Sequence, residues 1–199
     1  MEITVELITK LREKTGVGMM DCKKALIEAK GNMDQACDLL RQKGLASAAK
    51  RADRVASQGI VESYIHTGNK IGVLVEVNSE SDFVAKNSDF QAFVKDIAMQ
   101  IAAANPSYVT REEVPATALE HEKEILLEQA KQEGKPAAAM EKIIAGRLEK
   151  FYAEICLLEQ PYIRDPKKTI KDLLAELVAK IGENIVIRRF TRYQLGEKS

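Results

Sequence analysis

No apolar run in this 199-residue chain approaches the roughly 20 residues that span a bilayer, which excludes a helical membrane protein. Neither sign of charge dominates. Lys+Arg and Asp+Glu stand at 30 each and the formal net charge is zero. A protein whose main task is gripping a phosphate backbone needs a basic excess, so direct nucleic-acid binding is not expected. Cysteine is sparse: Cys22, Cys37 and Cys156 form an odd, scattered set without ligand spacing, as expected of reduced thiols in cytosol. The opening MEITVELITKL is an acidic amphipathic start, without a signal peptide's basic region, apolar core or cleavage site, so a cytoplasmic location is expected. No G-x-G-x-x-G, phosphate-binding loop or zinc spacing occurs. Of two histidines, His66 falls in a turn and His121 on a charged helix, neither near a plausible nucleophile in sequence. An enzyme is therefore not expected, nor is a cofactor or a resident metal.

What is present reads as an ordinary globular protein, with 45% hydrophobic and 30% charged residues. Three short helices come first. Ile3, Leu7, Ile8 and Leu11 share one face of the first. Cys22, Ala25, Leu26 and Ala29 make an i, i+3, i+4, i+7 stripe on the second, and Met33, Ala36, Cys37 and Leu40 repeat it on the third. Asn32 with Gln35 has cap spacing, and Gly44 is the expected stop. Residues 1–45 thus form a small three-helix module, near the lower size limit for folding alone. Residues 46–57, rich in Ala, Lys and Arg, read as a helical or semi-rigid linker.

The remainder, 58–199, reads as an α+β core. A hairpin pairs Gly59–Ile65 with Ile71–Val77, turned by His66 to Lys70, with Ile71, Val73, Val75 and Val77 on one face. A helix carrying Phe90, Phe93, Val94, Ile97 and Ile101 follows, with Ser88 and Gln91 at capping-box spacing. Polar helical sequence runs from Pro115 to Lys131, Gly134 and Pro136 break it, and another helix leads to Cys156. Residues 157–166 read as irregular. A last helix with Ile170, Leu173, Leu174, Leu177, Val178 and Ile181 ends at Gly182, and Ile185–Leu195 reads as a closing strand. Without a βαβ rhythm, the sheet is expected to be small and antiparallel.

The most informative stretch is Asn78 to Lys86, NSESDFVAK, where an apolar strand runs straight into a polar turn and a capped helix follows. That turn presents Asp82, Phe83, Val84 and Ala85 in a row. The aromatic either tucks into its own core or projects as a wedge, and the residues alone leave both open. Gly16-Val17-Gly18 opens a helix and reads better as a tight turn than as an anion site. Met19 and Met20 are adjacent at that helix start and cannot both face one core, so one is expected to be exposed as a partner contact, with a gap-filler between helices an equal reading for either taken singly. Arg188, Arg189 and Arg192 could touch phosphate, but a solvated strand edge is the commoner role.

LREKTGVGMMDCKKAL at 11–26 resembles the first signature of the bacterial elongation factor Ts family, SDFVAKNSDFQAF at 81–93 its second, and KIGENIVIRRF at 180–190 a third matching stretch. The likeness runs through essentially all of the chain and fits the short bacterial form. It implies a guanine-nucleotide exchange factor for elongation factor Tu, met in GDP-bound and nucleotide-free states, with no chemistry of its own. The three-helix module is then akin to ubiquitin-associated domains, and a homodimer paired through sheets is expected. Asp82 and Phe83 fall on the acid and aromatic that enter the partner's GTPase domain. Val84 and Ala85 continue the segment associated with dislodging its Mg²⁺. Gly16, Val17, Gly18, Met19 and Met20 fall on the loop by which the module meets that domain. Ser81 stands where many relatives carry Thr. The rival readings are an interaction adaptor whose N-terminal module binds some other helical partner, an RNA binder using the three arginines, and a thiol enzyme.

Overall fold

A computed structural model describes residues 3–134 and 136–197. The N-terminal segment forms α1 (Val5–Thr15), α2 (Met19–Glu28) and α3 (Met33–Ala49). Thr4 caps α1 by accepting from the Leu7 N–H at 3.3 Å. Asn32 caps α3 by accepting from the Asp34 and Gln35 N–H groups at 3.0 and 3.1 Å, as the sequence spacing predicts. The three apolar stripes meet in one cluster of Ile8, Leu11, Cys22, Ala25, Leu26, Ala36 and Leu40. Each large aliphatic side chain buried this way contributes about 1.5–3 kcal/mol.

A hairpin of β1 (Gln58–Ile65) and β2 (Ile71–Ser79) comes next, then the four-residue helix α4 (Asp82–Ala85) and α5 (Ser88–Ala104). A 3₁₀ turn at Arg111–Glu113 precedes the paired helices α6 (Ala116–Gln132) and α7 (Ala137–Ile155). The stretch expected to be irregular holds a 3₁₀ turn at Leu157–Glu159 and a two-stranded ribbon of β3 (Pro161–Tyr162) and β4 (Asp165–Thr169). Helix α8 (Ile170–Ile181) and strand β5 (Ile185–Gln194) close the chain. The strand order is β1-β2-β5 in the main sheet, with β3 and β4 forming the other, so the class is α+β with small antiparallel sheets.

The chain divides into two compact units. The first comprises residues up to Glu62, Glu76–Lys95 and Asp172–Arg188; the second comprises Ser63–Val75, Asp96–Lys171 and Arg189 onward. In the first unit Val77, Val84, Phe90, Phe93, Val94, Val178, Ile185 and Ile187 are buried in addition to the three-helix cluster. Gly59 is required there: its φ is +132°, and a Cβ would stand 2.1 Å from the Val77 carbonyl oxygen.

The second unit buries Ile97, Ile101, Val109, Leu126, Cys156 and Leu157. Arg111 organises its surface, donating to Glu149 at 3.0 Å and to Glu159 while its guanidinium lies 4.3 Å from the Tyr152 ring centroid. These two carboxylates raise the Arg111 pKa further above its already high value.

Two further local expectations are corrected. Gly44 does not end α3, which continues to Ala49 with Gly44 buried inside it. A Cβ on Gly44 would lie 3.7 Å from Ala179 Cβ and 3.8 Å from the Ala175 carbonyl, ordinary contact distances, so this face of α3 packs against α8. The first residues of the expected linker are therefore the end of a helix, with turns at 50–53. At α5 the capping oxygen comes from Asn87, whose Oδ1 accepts from the Asp89 and Phe90 N–H groups at 2.8 and 3.3 Å. Ser88 is the first helical residue, and Gln91 donates instead to the Ala85 carbonyl at 3.3 Å.

Candidate functional site

The turn after β2 is fixed at its base and free at its tip. Ser79 is fully buried, and its hydroxyl donates to the Ser81 carbonyl at 2.9 Å. Ser81 occupies the N-cap position of α4 with extended backbone (φ −125°, ψ 158°), yet its hydroxyl does not cap the helix. It donates to Glu183 Oε1 at 2.7 Å, and the Ser81 N–H donates to Glu183 Oε2 at 3.0 Å. Glu80 accepts from the Asn184 N–H at 2.6 Å and sits 3.5 Å from Arg54. Both residues that precede the helix are thus tied to the segment after α8.

Four residues make little more than one helical turn, so α4 sends one side chain inward and leaves others in solvent. Val84 is the inward one, at 7% exposure. Phe83 is 80% exposed, Asp82 is exposed and Ala85 is half-buried. The Lys86 ammonium lies 3.0 Å from Asp82 and 6.0 Å from the Phe83 ring centroid, near enough for a weak cation–π contact. Phe83 is therefore not tucked into its own core.

The loop between α1 and α2 is held from within. Gly16 adopts φ +68° and donates to the Arg12 carbonyl at 2.7 Å, closing α1 in a left-handed cap. The Val17 side chain packs on the helical cluster, and its carbonyl accepts from the Cys22 thiol at 3.4 Å. Gly18 opens α2 by accepting from the Asp21 and Cys22 N–H groups at 3.1 and 3.0 Å. Met19 packs on the cluster while Met20 is 65% exposed, the division their adjacency predicts.

The remaining candidates lose their chemistry. Cys22 and Cys156 are buried, and desolvation raises both thiol pKa values, that of Cys156 to about 11, so neither is poised as a thiolate. His66 is exposed with Nδ1 3.0 Å from the Tyr64 hydroxyl, and His121 is exposed on α6. The three arginines do not act as one patch. Arg188 and Arg189 are exposed, whereas the Arg192 side chain is 8% exposed and donates to the Ala102 carbonyl at 3.4 Å and Gln194 at 2.7 Å.

A family model described as Elongation factor TS matches residues 45–197. Curated relatives named Elongation factor Ts extend that match to nearly the whole chain. Those from Thermoanaerobacter sp. (strain X514) and Caldanaerobacter subterraneus subsp. tengcongensis are each 63% identical over 195 residues, covering 98% of this chain and 96% and 98% of the relative. That from Alkaliphilus oremlandii is 62% identical over 197 residues, covering 99% of this chain and 91% of the relative. The chain belongs to the elongation factor Ts family. Membership carries the general role in the family's name, translation elongation. The resemblance read from the elongation factor Ts signatures is thereby shown.

Sequence reasoning did not single out Glu183, Glu80 or Asn184 within this elongation factor Ts chain. Glu183 and Asn184 were part of KIGENIVIRRF, which carried resemblance without a role. The signal that finds them is spatial: Ser81 and Glu183 are 102 positions apart.

Proposed function

We propose that the chain is a guanine-nucleotide exchange factor for elongation factor Tu, and that it acts by inserting the Asp82-Phe83 tip of α4 into that protein's GTPase domain. The observation that carries the reading is an exposed phenyl ring on a pinned turn, in a family signature. A free ring in water gains nothing from exposure, whereas a ring entering a packed interior forces its surroundings to shift.

A nucleotide held at nanomolar strength has about 12 kcal/mol of binding free energy and leaves slowly. An exchange factor must form a complex in which factor and nucleotide disfavour one another, and linkage makes that penalty reciprocal. Weakening the nucleotide ~10⁴-fold requires about 5.5 kcal/mol. The wedge supplies part of it by displacing helices that carry the partner's Mg²⁺ ligands or phosphate contacts. Val84 anchors the wedge and Ala85 continues the inserted segment. The Mg²⁺ belongs to the partner.

The rest comes from surface buried elsewhere, and the exposed Met20 at the edge of the Gly16–Met20 loop is the module's candidate contact. The module is residues 1–45, its last helix running on to Ala49, and the exchange and dimerisation core is 58–199. A homodimer through the main sheet is part of the same reading. In the second unit Ile65, Leu74 and Tyr193 present exposed apolar side chains on strands, the kind of face a second copy would cover. The chain works in the cytoplasm, with reduced cysteines and no cofactor of its own.

The deciding experiment is release of fluorescent GDP from elongation factor Tu with and without this chain. Acceleration by catalytic amounts supports the reading. No acceleration at any concentration refutes it.

A further inference from the structure

Glu183 spends both carboxylate oxygens on one residue of the wedge turn, accepting from the Ser81 N–H at 3.0 Å and the Ser81 hydroxyl at 2.7 Å. Two parallel bonds to one carboxylate fix orientation as well as distance. Glu183 is itself held at a constrained place. Gly182, at φ +87°, ends α8, and its carbonyl accepts from Arg51 Nε at 3.1 Å. Asn184 is buried, donates from its side chain to the Ala52 and Arg54 carbonyls at 3.2 and 2.8 Å, and donates from its backbone to Glu80. Three residues earlier, Lys180 pairs with Asp89 at 2.7 Å, and its Cδ and Cε would stand 3.5 Å from a Cβ on Gly16. The stretch Lys180 to Asn184 therefore touches the wedge turn on one side and the α1–α2 loop on the other.

We propose that Glu183 is a positioning residue for nucleotide exchange: by clamping Ser81 it presets the direction in which Phe83 projects, so that the ring enters the partner without first being ordered. This inference rests on the exchange reading above. A wedge on a loose turn would lose conformational freedom on insertion, and that loss would subtract from the free energy available to displace nucleotide. The geometry singles out Glu183 because the Phe83 ring is 80% exposed and, among the described residues, has Lys86 as its one recorded ring contact. The ring meets solvent and Lys86, so its direction is inherited from Ser81 and the buried Val84.

The test is a double-mutant cycle on the full chain, read as the maximal rate of fluorescent-GDP release from elongation factor Tu at saturating factor. Glu183→Ala is expected to lower that rate about tenfold when Phe83 is present and less than about twofold in a Phe83→Ala background. Glu183→Gln, which keeps one acceptor, should fall between. Ser81→Ala removes the hydroxyl bond without touching Glu183 and should reproduce part of the loss, which covers the case in which Glu183→Ala does not fold. A clamp that only supports the fold would lower the rate by the same factor in both backgrounds, and that additive result overturns the proposal. So does an unchanged rate in Glu183→Ala or Ser81→Ala. If Phe83→Ala alone has no effect, the wedge reading fails and this inference falls with it; if Phe83→Ala slows release but the cycle is additive, only the role of Glu183 is lost.

Discussion

Phe83 and Val84 are adjacent in sequence and opposite in environment, the ring in solvent and the valine sealed against the first unit's interior. On the proposed exchange reading, the pair separates function from stability within a single helical turn. Phe83→Ala should slow stimulated GDP release about tenfold or more, the scale of an interface hot spot. It should shift unfolding free energy by no more than about 0.5 kcal/mol, as for other surface substitutions. Val84→Ala should instead cost about 1–2 kcal/mol of stability through lost burial. Urea unfolding beside release kinetics measures both. Equal stability losses in the two variants would contradict the assigned burial.

Met20 and Met19 offer a similar contrast at the α1–α2 loop. Met20→Ala should weaken binding to nucleotide-free elongation factor Tu about five- to tenfold, with the maximal release rate retained at saturation. Met19→Ala should act on the module's stability, since its thioether fills the helical cluster. Titration calorimetry showing unchanged affinity for Met20→Ala would remove this loop from the interface.

Gly59→Ala should destabilise the protein by about 3 kcal/mol or more, because backbone strain and collision with the Val77 carbonyl act together. A urea midpoint within error of the parent chain would show that β1 can shift to admit the methyl group.

Cys156 gives the chain an alkaline weakness. Burial lifts its thiol from an ordinary value near 9 to about 11, and nearby Glu159 adds to the lift. A raised pKa means the folded state keeps the proton after the unfolded chain has released it. Stability from this group is intact below pH 9 and is lost as pH rises towards 11. Tyr162 adds a second loss between about 10 and 12, driven first by burial and then by its hydrogen bond to Asp96. Thermal midpoints measured from pH 8 to 11 should fall, and Cys156→Ala should flatten the part of that decline between 9 and 10. A decline identical in parent and variant would assign it to other groups.

The helical stripes and the hairpin were legible because burial imposes a period on many residues at once. Ile71, Val73, Val75 and Val77 alternate over a whole strand, and Ala25, Leu26 and Ala29 repeat over turns of helix. The exposed turn at α4 was not legible in that way. A helix of four residues has no period to read, so the exposure of Phe83 stayed open until Val84 was seen to take the inward place. Gly44 reads locally as a helix stop, but it is buried inside α3 where that helix packs against Ala175 and Ala179, far along the chain. Asn87 and Ser88 are both cap formers, and only backbone direction chooses between them. The ribbon at 161–169 is short and holds two prolines, so it falls below any pattern threshold. Glu183 belongs to the same class: its partner Ser81 is distant in sequence, and no spacing rule connects them.

Because α3 runs unbroken past Gly44, a shortened protein that begins at residue 46 would start inside a helix, without its cap and without the first turns that cover α8. The better place to cut is Val55 to Ser57, where the chain holds no regular structure and Val55 is 81% exposed. A protease should nick there first. Arg51 and Asn184 bond the flanking segments to each other, so the nicked halves should still migrate as one particle under native conditions.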